Sequence, residues 1–432
     1  MDVTQYEDWL ISLRRELHQR PEPAWREFYT TARIVEELES LDVDEILIGS
    51  EILADGERGE VPDEAELDSW LEQARETGVS EELLERLAGG YTGAIATVER
   101  GEGPTVALRV DIDGLPRLES DAADHHPAAE GFRSIHEGAM HACGHDAHAT
   151  IGLGVLRAIL DSEFEGTLKV IFQPAEELIG GGKPIAESGH LDDVDALMAL
   201  HVGLDHPTGE VVAGVDGFLA VSHVDVEFAG EPAHAGAEPN VGKNANLALA
   251  TAVQNLYAIP RHKDGATRVN AGVIEGGSAS NIIAEQASIH GEIRGETTEL
   301  MEYTKERATQ VMESAAEMHG CEATVEFGAE APSAESDELL VSLVADLARE
   351  SEHVENVLYR DDLGGSEDAT YLMQRVQDQG GVASYVGIGT DHPGGHHTAT
   401  FDVDEESLVI GVDVLASALL ELAGEDSPLD AA

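Results

Sequence analysis

Short apolar runs bounded by turn residues alternate along the first half of the chain with segments whose apolar residues have helical spacing. Four such runs are TGAIATVE, TVALRVD, TLKVIFQP and DALMALHVG, and the helical segment ATIGLGVLRAILD lies between the second and the third. Strands that alternate with helices indicate an α/β domain with a parallel-rich sheet. At 432 residues, the chain is long enough for two or three packed units.

The pattern changes between residues 217 and 331. The strands there alternate apolar with polar residues, which is typical of an antiparallel sheet covered by helices on one face, and the elements follow the order βαββαβ. We therefore predict a two-domain α/β protein with a mixed, mostly parallel sheet flanked by helices. Residues 1–216 and 332–432 form the first domain, residues 217–331 are inserted as the second, and the acidic residues 42–90 are a helical insertion within the first.

The charge balance is extreme, because 86 acidic residues stand against 25 basic ones and the formal net charge is −61. Self-repulsion of this kind disfavours a compact state in dilute buffer and is screened at high salt. We expect a halophilic source, with an ordinary acidic mesophilic protein as the alternative. No region of the sequence resembles the basic footprint of a nucleic-acid-binding protein, so we expect no nucleic-acid partner. A single Asp or Glu says little about a site here, because most of these residues serve solvation.

The first residues of the chain, its longest apolar run and its cysteines indicate the cellular compartment. MDVTQYEDWL lacks the basic stretch of a targeting peptide, and Asp413 interrupts the apolar run LVIGVDVLASALLEL. We expect a cytoplasmic protein that does not bind membranes. Two cysteines, Cys143 and Cys321, cannot build a disulfide framework, which leaves metal ligation or nucleophilic chemistry as the roles to consider.

Metal-capable residues concentrate in four short segments, which are MHACGHDAH, QPAEE, ALHV and GGHHTATFD. Three of them end apolar strands or lie in the loops that follow, and such loops line the ligand crevice of an open α/β sheet. In the first segment a single glycine separates Cys143 from His145, so the chain can turn tightly enough to aim both side chains at one ion. A buried apolar thiol is the alternative for Cys143. His141 and His148 flank this pair as structural or supporting groups.

The other three segments offer carboxylates and imidazoles. If the backbone is extended at Glu176 and Glu177, the two side chains point in different directions, so one can bind metal while the other moves a proton. A solvated surface pair is the alternative. His201 ends a buried strand and needs a metal ion or a hydrogen bond. Spacing alone does not decide between His396 and His397. A thiolate, imidazoles and carboxylates suit two divalent ions such as Mn, Zn or Co, about 3.5 to 4 Å apart, and amide hydrolysis.

The segments together resemble a known family. They are LRRELHQRPEPAWREF, ALRVDIDGLP, MHACGHDAHATIGLG, FQPAEE, ALHVG, GEPAHAGAEP, GGSASNIIAE, GEIRG and the stretch from GSEDATYLM to FDVDEE. Their order along nearly the whole chain is similar to that of the M20 metallopeptidase-like amidohydrolases. The resemblance implies a two-metal catalytic domain and an inserted ferredoxin-like lid used for dimerisation.

Site residues follow from that resemblance. The implied metal ligands are Cys143, His145, Glu177, His201 and His397, the last because the family ligand stands four residues before the phenylalanine of the FD pair. Glu176 would be the general base and acid. Asp111 would orient the site, with a strand-end cap as the alternative role.

In the lid, the resemblance implies that His234 reaches the partner subunit's site and stabilises the oxyanion. Asn281 and Arg294 would grip the substrate carboxylate. The alternatives are a turn residue for Asn281 and a surface ion pair for Arg294. The family pattern PAHAAxP reads PAHAGAEP here, which alters local flexibility more than chemistry.

The implied reaction is hydrolysis of N-acyl or aroyl amino acids, such as p-aminobenzoyl-glutamate, through a metal-bridged water. A broader N-acyl-L-amino-acid hydrolase, acting on hippurate-like or indole-acetyl-amino-acid-like amides, is the first alternative, and a carbamoyl-cleaving or acyl-transferring relative is another. A catalytically idle partner subunit is the alternative from a different class, and the intact ligand set with Glu176 argues against it. A homodimer through the lid is expected, with a paralogous chain as the other possible partner.

Overall fold

The computed structural model describes residues 2–392, 394–424 and 427–431. The chain divides into two compact units. The first unit comprises residues 1–216, 334–363 and 368–432, and the second comprises residues 217–333 and 364–367. Each unit contains its own sheet.

The described residues form twelve α-helices, which are α1 Glu7–His18, α2 Phe28–Ser40, α3 Glu64–Glu76, α4 Glu81–Leu87, α5 His126–Glu130, α6 His145–Leu160, α7 Gly182–Ala186, α8 Ala245–Leu256, α9 Thr298–Met318, α10 Glu338–Glu350, α11 Ala369–Asp378 and α12 Glu406–Leu422. They also form fourteen strands, which are β1 Glu45–Ile48, β2 Ala94–Arg100, β3 Thr105–Asp111, β4 Gly166–Gln173, β5 Ala196–Val202, β6 Glu210–Val212, β7 Val215–Asp216, β8 Ala220–Ala229, β9 Thr267–Gly276, β10 Gln286–Gly295, β11 Glu322–Ala331, β12 Asn356–Leu358, β13 Asp361–Asp362 and β14 Val382–Ile388.

The main sheet of the first unit has eight strands in the order β1-β2-β4-β3-β5-β14-β6-β12, and β13 and β7 form a separate two-stranded sheet in the same unit. The four central strands β4, β3, β5 and β14 run parallel, whereas β1, β2 and the β14–β6 pair are antiparallel. The prediction of a mixed α/β sheet flanked by helices is confirmed. Residues 42–90 contain α3 and α4, but they also contribute the edge strand β1, which the sequence analysis did not predict because EILI is only four residues long.

Helix α6 lies at the centre of the first unit. It packs against β3, β4 and β5 and also contacts α1 and α12. Nearly all of its residues are buried, which explains why its sequence is apolar on every side rather than on one stripe. Because α6 begins at His145, this packing fixes the first turn of the helix at the carboxyl end of the parallel strands.

The sheet of the second unit has four antiparallel strands in the order β11-β8-β10-β9. Helices α8 and α9 pack against it, and the elements follow the order βαββαβ. Its core contains buried apolar residues such as Val226, Phe228 and Ile289. Strand β9 is at one edge, and most of its residues are exposed, Val273 and Ile274 among them.

No helix in the described part of the chain is long and apolar enough to cross a membrane.

Candidate active site

Three of the four metal-capable segments stand at the carboxyl ends of strands in the parallel centre of the first unit's main sheet. Strand β4 leads to Glu176 and Glu177, β5 contains His201, and β14 leads into the loop with His396 and His397. The fourth segment, with Cys143 and His145, precedes and begins α6. Parallel strands bring their carboxyl ends to the same edge of a sheet, which is the reason that segments far apart in sequence meet here.

Gly144 makes the turn between Cys143 and His145 possible. Its φ is +89°, and a Cβ at this position would lie 2.4 Å from the Cγ2 atom of Val202. Only glycine combines the left-handed conformation with this close approach. The Cys143 Sγ atom lies 3.4 Å from the Nε2 atom of His201, so the turn does aim the thiol at the strand-end histidine.

Glu176 and Glu177 lie in a 3₁₀ turn and not on extended backbone, so the alternation of an extended pair does not apply to them. The turn forms because Ala175 and Ile179, on either side, both adopt left-handed conformations. The two carboxylates still separate. The Oε2 atom of Glu176 lies 3.9 Å from the Nε2 atom of His145, whereas the Oε2 atom of Glu177 lies 3.5 Å from the Nε2 atom of His397.

His201, His396 and His397 have distinct surroundings. His201 hydrogen-bonds through Nδ1 to the carbonyl of Val202 (2.7 Å), which leaves Nε2 facing Cys143. The His396 ring contacts that of His201, with 5.2 Å between centroids, and its Nε2 atom lies 3.1 Å from the same Val202 carbonyl. His397 is half-exposed, and its backbone N–H donates to Ala142.

Two groups of potential ligand atoms share the sulfur of Cys143. Cys143, His201 and His396 form one, and Cys143, His145 and Glu177 form the other, with the ligand atoms of each group within 4.8 Å of one another. In the second group, the Nε2 atom of His145 and the Oε1 atom of Glu177 are buried and have no hydrogen-bond partner among the described residues. Buried polar atoms rarely stay unsatisfied. These two atoms therefore fit a divalent ion.

The charges in the site are consistent with this fit. Burial opposes a charge on His145, but the carboxylates of Asp111 and Asp113 outweigh it and raise the pKa of His145 to about 10. The site thus favours a positive charge at that position. Burial lowers the pKa of His201 well below its usual value and that of His396 to about 4. Both rings are therefore neutral at physiological pH, as metal ligation requires.

Burial is the main cause that raises the pKa of Glu177 to about 7; His145 opposes the rise, and the carboxylates of Asp113 and Asp111 add to it. Ionisation of this carboxylate beside two other acids is unfavourable, and a bound cation would stabilise the ionised form.

Asp111 contacts His148 and Arg109 and lies 3.7 Å from the Nε2 atom of His145. The His148 ring donates from Nδ1 to Asp111 and accepts the Val202 N–H at Nε2 (2.9 Å). Both ring nitrogens of His148 are thus used, which supports a structural role for this residue and not ligation.

Asp113 is a further residue of the site, and it was not among the residues predicted from the sequence. Its Oδ1 atom lies 3.2 Å from the Nδ1 atom of His145 and also accepts the N–H of Glu176, and its Oδ2 accepts the N–H of Glu177. It therefore fixes the ring of one candidate ligand and the backbone of the turn at once. The available sequence pattern was the spacing of Asp111 and Asp113, which places both at the end of a buried strand or just beyond it.

His141 is fully buried, and neither of its ring nitrogens has a partner among the described residues. Burial lowers its pKa to about 3, so the ring is neutral. It packs against the ring of His18, with 6.3 Å between centroids, and belongs to none of the ligand groups among those residues.

Two of the predicted substrate residues lie together in the second unit. His234 and Asn281 are both exposed, and the Ala235 N–H donates to the Asn281 carbonyl (2.9 Å). The Nδ1 atom of His234 accepts from the N–H groups of Gly236 and Ala237, both at 3.1 Å. The ring therefore carries its proton on Nε2.

Arg294, the third predicted substrate residue, lies on β10 of the same unit. Its guanidinium donates to both carboxylate oxygens of Glu292 (3.1 and 3.0 Å) and to the Ser366 hydroxyl (3.3 Å). The Arg294 guanidinium, which was predicted to bind the substrate carboxylate, is thus paired with the carboxylate of Glu292 on the same strand.

The sequence profile of peptidase family M20/M25/M40 matches residues 107–421. The chain belongs to this family. It is 40% identical over 414 residues to one of the subunits of p-aminobenzoyl-glutamate hydrolase from Escherichia coli, an alignment that covers 94% of each chain. It is 41% identical over 412 residues to indole-3-acetyl-aspartic acid hydrolase of Enterobacter agglomerans, again with 94% of each chain covered. The crystal structure of an aminobenzoyl-glutamate utilization protein from Klebsiella pneumoniae superposes with a TM-score of 0.81 at 33% identity, covering 97% of both chains.

Family membership and the ligand groups lead to one conclusion about activity. This M20 protein is a hydrolase of linear amides, an amidohydrolase with residues suited to hold divalent metal.

Proposed function

We propose that this M20 amidohydrolase cleaves N-aroyl and N-acyl amino acids, with p-aminobenzoyl-glutamate as the favoured substrate, at a centre of two divalent metal ions. The observation that supports the two-ion centre is the pair of ligand groups that share Cys143. Cys143, His145, Glu177 and His201 are the proposed ligands. His397 is the fifth by resemblance, and His396 competes for the same position because it lies with Cys143 and His201.

The ions would polarise the scissile carbonyl and activate water, and the thiolate and imidazole ligands favour Mn, Zn or Co over Mg or Ca. The chain itself moves the proton. Glu176 is the proposed base, since its carboxylate lies close to His145 and is largely buried. It takes a proton from the attacking water and delivers it to the departing amine. Asp111 and Asp113 hold His148 and His145 in place for this step.

The second unit supplies the proposed recognition groups. His234 carries its proton on Nε2, the tautomer that can donate to an oxyanion. Asn281 and Arg294 are the proposed partners of the substrate carboxylate. Because Arg294 already pairs with Glu292, a substrate carboxylate must compete with that residue or replace it.

The substrate proposal is tested with a panel of amides assayed in molar KCl with Mn, Zn or Co. We expect p-aminobenzoyl-glutamate to be cleaved with the highest kcat/KM, and indole-acetyl-aspartate and hippurate to be slower. The matched control is p-aminobenzoyl-glutamate with both carboxylates amidated, which should lose about 10²-fold because a charge-assisted contact is worth roughly 1.5–3 kcal/mol. Faster cleavage of carbamoyl amino acids, or no cleavage of any amide, would contradict the proposal.

We propose that the second unit is a ferredoxin-like lid through which two copies of the chain associate. Its βαββαβ order and its strand order support the ferredoxin-like comparison. The exposed edge strand β9, with Val273 and Ile274, together with the exposed Leu247 on α8, offers an unpaired edge and apolar surface. A paralogous chain is the alternative partner, because the Escherichia coli relative is named as one subunit of its enzyme.

We infer from the net charge of −61 that the protein functions at high salt and in the cytoplasm of a halophile. The Debye length falls from about 10 Å at 0.1 M salt to about 3 Å at 1 M, which removes most of the repulsion between surface acids. We expect the unfolding midpoint to rise by roughly 10 °C between 0.1 and 2 M KCl, the shift that about 3 kcal/mol produces in a large domain. Calorimetry measures it, and a midpoint that does not respond to KCl would contradict the inference.

A further inference from the structure

The turn that carries Glu176 and Glu177 is held by buried carboxylates from three other parts of the first unit. Glu27 accepts the N–H of Ala175 (2.8 Å), and Asp113 accepts those of the two glutamates. Just beyond the turn, the Oδ2 atom of Asp368 accepts the N–H groups at residues 181 and 182, at 3.1 and 2.8 Å. We call the side chains of Glu27, Asp113 and Asp368 the carboxylate cradle.

The turn needs such support because its conformation is unfavourable by itself. Ala175 and Ile179 have φ values of +56° and +54°, in the left-handed region that non-glycine residues avoid. Among the described residues, two backbone bonds close the turn, from the Gly180 N–H to the Ala175 carbonyl (2.9 Å) and from the Ile179 N–H to the Glu176 carbonyl (2.7 Å). The N–H groups of Ala175, Glu176 and Glu177 depend on side chains. Strained residues persist where the surrounding structure over-determines them.

Glu27 differs from the other two members of the cradle. Asp113 also contacts His145, and Asp368 also contacts Gln173 and Arg109, so changes there disturb other groups. Glu27 is fully buried, and its carboxylate bridges the Thr92 hydroxyl (2.7 Å) and the Ala175 N–H. It precedes α2 directly, which ties the start of that helix to the turn.

We propose that Glu27 is a positioning residue for Glu176: by accepting the Ala175 N–H, it sets the start of the turn and hence the place of the base relative to the substrate carbonyl. The proposal rests on Glu176 as the base in the proposed function. Displacement of a catalytic group by about 1 Å can cost about 10²-fold in rate. The bond acts on the base and not on substrate binding, so kcat should change while KM does not.

Two variants separate the position of the acceptor oxygen from the carboxyl group that bears it. Glu27→Gln replaces the carboxyl group but keeps an acceptor oxygen at the same reach, and we expect kcat within about threefold of the parent value. Glu27→Asp keeps a carboxyl group but withdraws the oxygen from Ala175, and we expect kcat to fall about 30-fold or more at unchanged KM and unchanged metal content. Assays use p-aminobenzoyl-glutamate, or the panel amide cleaved fastest, and activity is expressed per folded, metal-loaded molecule.

Glu22 provides the matched control. It is also a buried glutamate that accepts two backbone N–H groups, those of Tyr29 and Thr30 (2.9 and 2.8 Å), and both of these lie in α2 rather than in the turn. Glu22→Asp should lower the unfolding temperature and leave kcat near the parent value. Equal kcat for Glu27→Asp and Glu22→Asp would overturn the proposal, and so would an equal loss in Glu27→Gln and Glu27→Asp.

A third variant decides the matter if Glu27→Asp does not fold. Thr92→Val removes the hydroxyl that anchors the Glu27 carboxylate, and we expect kcat to fall about fivefold at unchanged KM. A parent-like kcat in that variant would overturn the proposal. Glu176→Gln distinguishes failure of this proposal from failure of the proposed function. If Glu176→Gln keeps its activity, Glu176 is not the base and the proposed function fails. If Glu176→Gln is inactive while the Glu27 variants have parent-like kcat, only the positioning role of Glu27 fails.

Discussion

Glu176→Gln should lower kcat for amide hydrolysis by about 10³-fold, within the range of roughly 10² to 10⁴ that general acid–base catalysis contributes. Glutamine has nearly the shape of glutamate but cannot accept a proton from water. Glu177, and not Glu176, lies with Cys143 and His145, so the variant should bind as much metal as the parent. Steady-state kinetics and metal analysis by mass spectrometry measure the two quantities.

The adjacent Glu177 is the control for this experiment. Glu177→Gln should lose metal as well as activity, because its Oε1 atom is one of the unpartnered ligand atoms among the described residues. The two neighbouring substitutions thus give opposite results for metal content. Parent-like hydrolysis by Glu176→Gln would show that the base is another residue, and loss of metal from it would show that Glu176 is itself a metal ligand.

Cys143→Ala should remove metal from both positions of the centre and lower kcat/KM by at least about 10³-fold, since metal-ion catalysis is worth several kcal/mol of transition-state stabilisation. The reason is that the thiol belongs to both ligand groups. His201→Ala alters only the group that contains His201 and should leave part of the metal in place. Inductively coupled plasma mass spectrometry of the dialysed proteins distinguishes these outcomes.

Cys321→Ala is the matched control for Cys143→Ala. Both cysteines are buried and neither forms a disulfide among the described residues, but Cys321 belongs to the core of the second unit. The Cys321→Ala protein should retain full metal content and activity. A Cys143→Ala protein with parent-like metal content would overturn the shared-thiolate arrangement and with it the proposed two-ion centre.

Local sequence patterns were sufficient to predict the strands that carry the site residues. TVALRVD, TLKVIF and DALMALHV are largely apolar, and they form β3, β4 and β5 in the parallel centre of the sheet. A strand buried on both faces can be recognised from its own residues, because burial disfavours polar side chains on either side. The short strands β1, β6 and β12 have no such pattern, and they are defined by the strands with which they pair.

The metal-capable residues were likewise visible one segment at a time, but their arrangement was not. Spacing alone left His396 and His397 equivalent, and only the family resemblance preferred His397. The fold places His396 with Cys143 and His201, and His397 beside Glu177. The loop backbone makes this difference, since His397 has a left-handed φ of 57°. Arg294 is a similar case. The sequence shows that its guanidinium can bind a carboxylate through two hydrogen bonds, but it does not show that Glu292 is the carboxylate bound.

The sequence by itself determined which metal-capable groups this protein carries: a thiol, imidazoles and paired glutamates at or near the ends of buried strands, with a glycine that lets Cys143 and His145 face one point. Only the tertiary structure decided how those groups are held. Asp113 and Glu27 act through hydrogen bonds to backbone groups 63 and 148 residues away in sequence. Such bonds leave no local pattern, because any acidic residue of this acid-rich chain could make them, and folding alone selects which ones do.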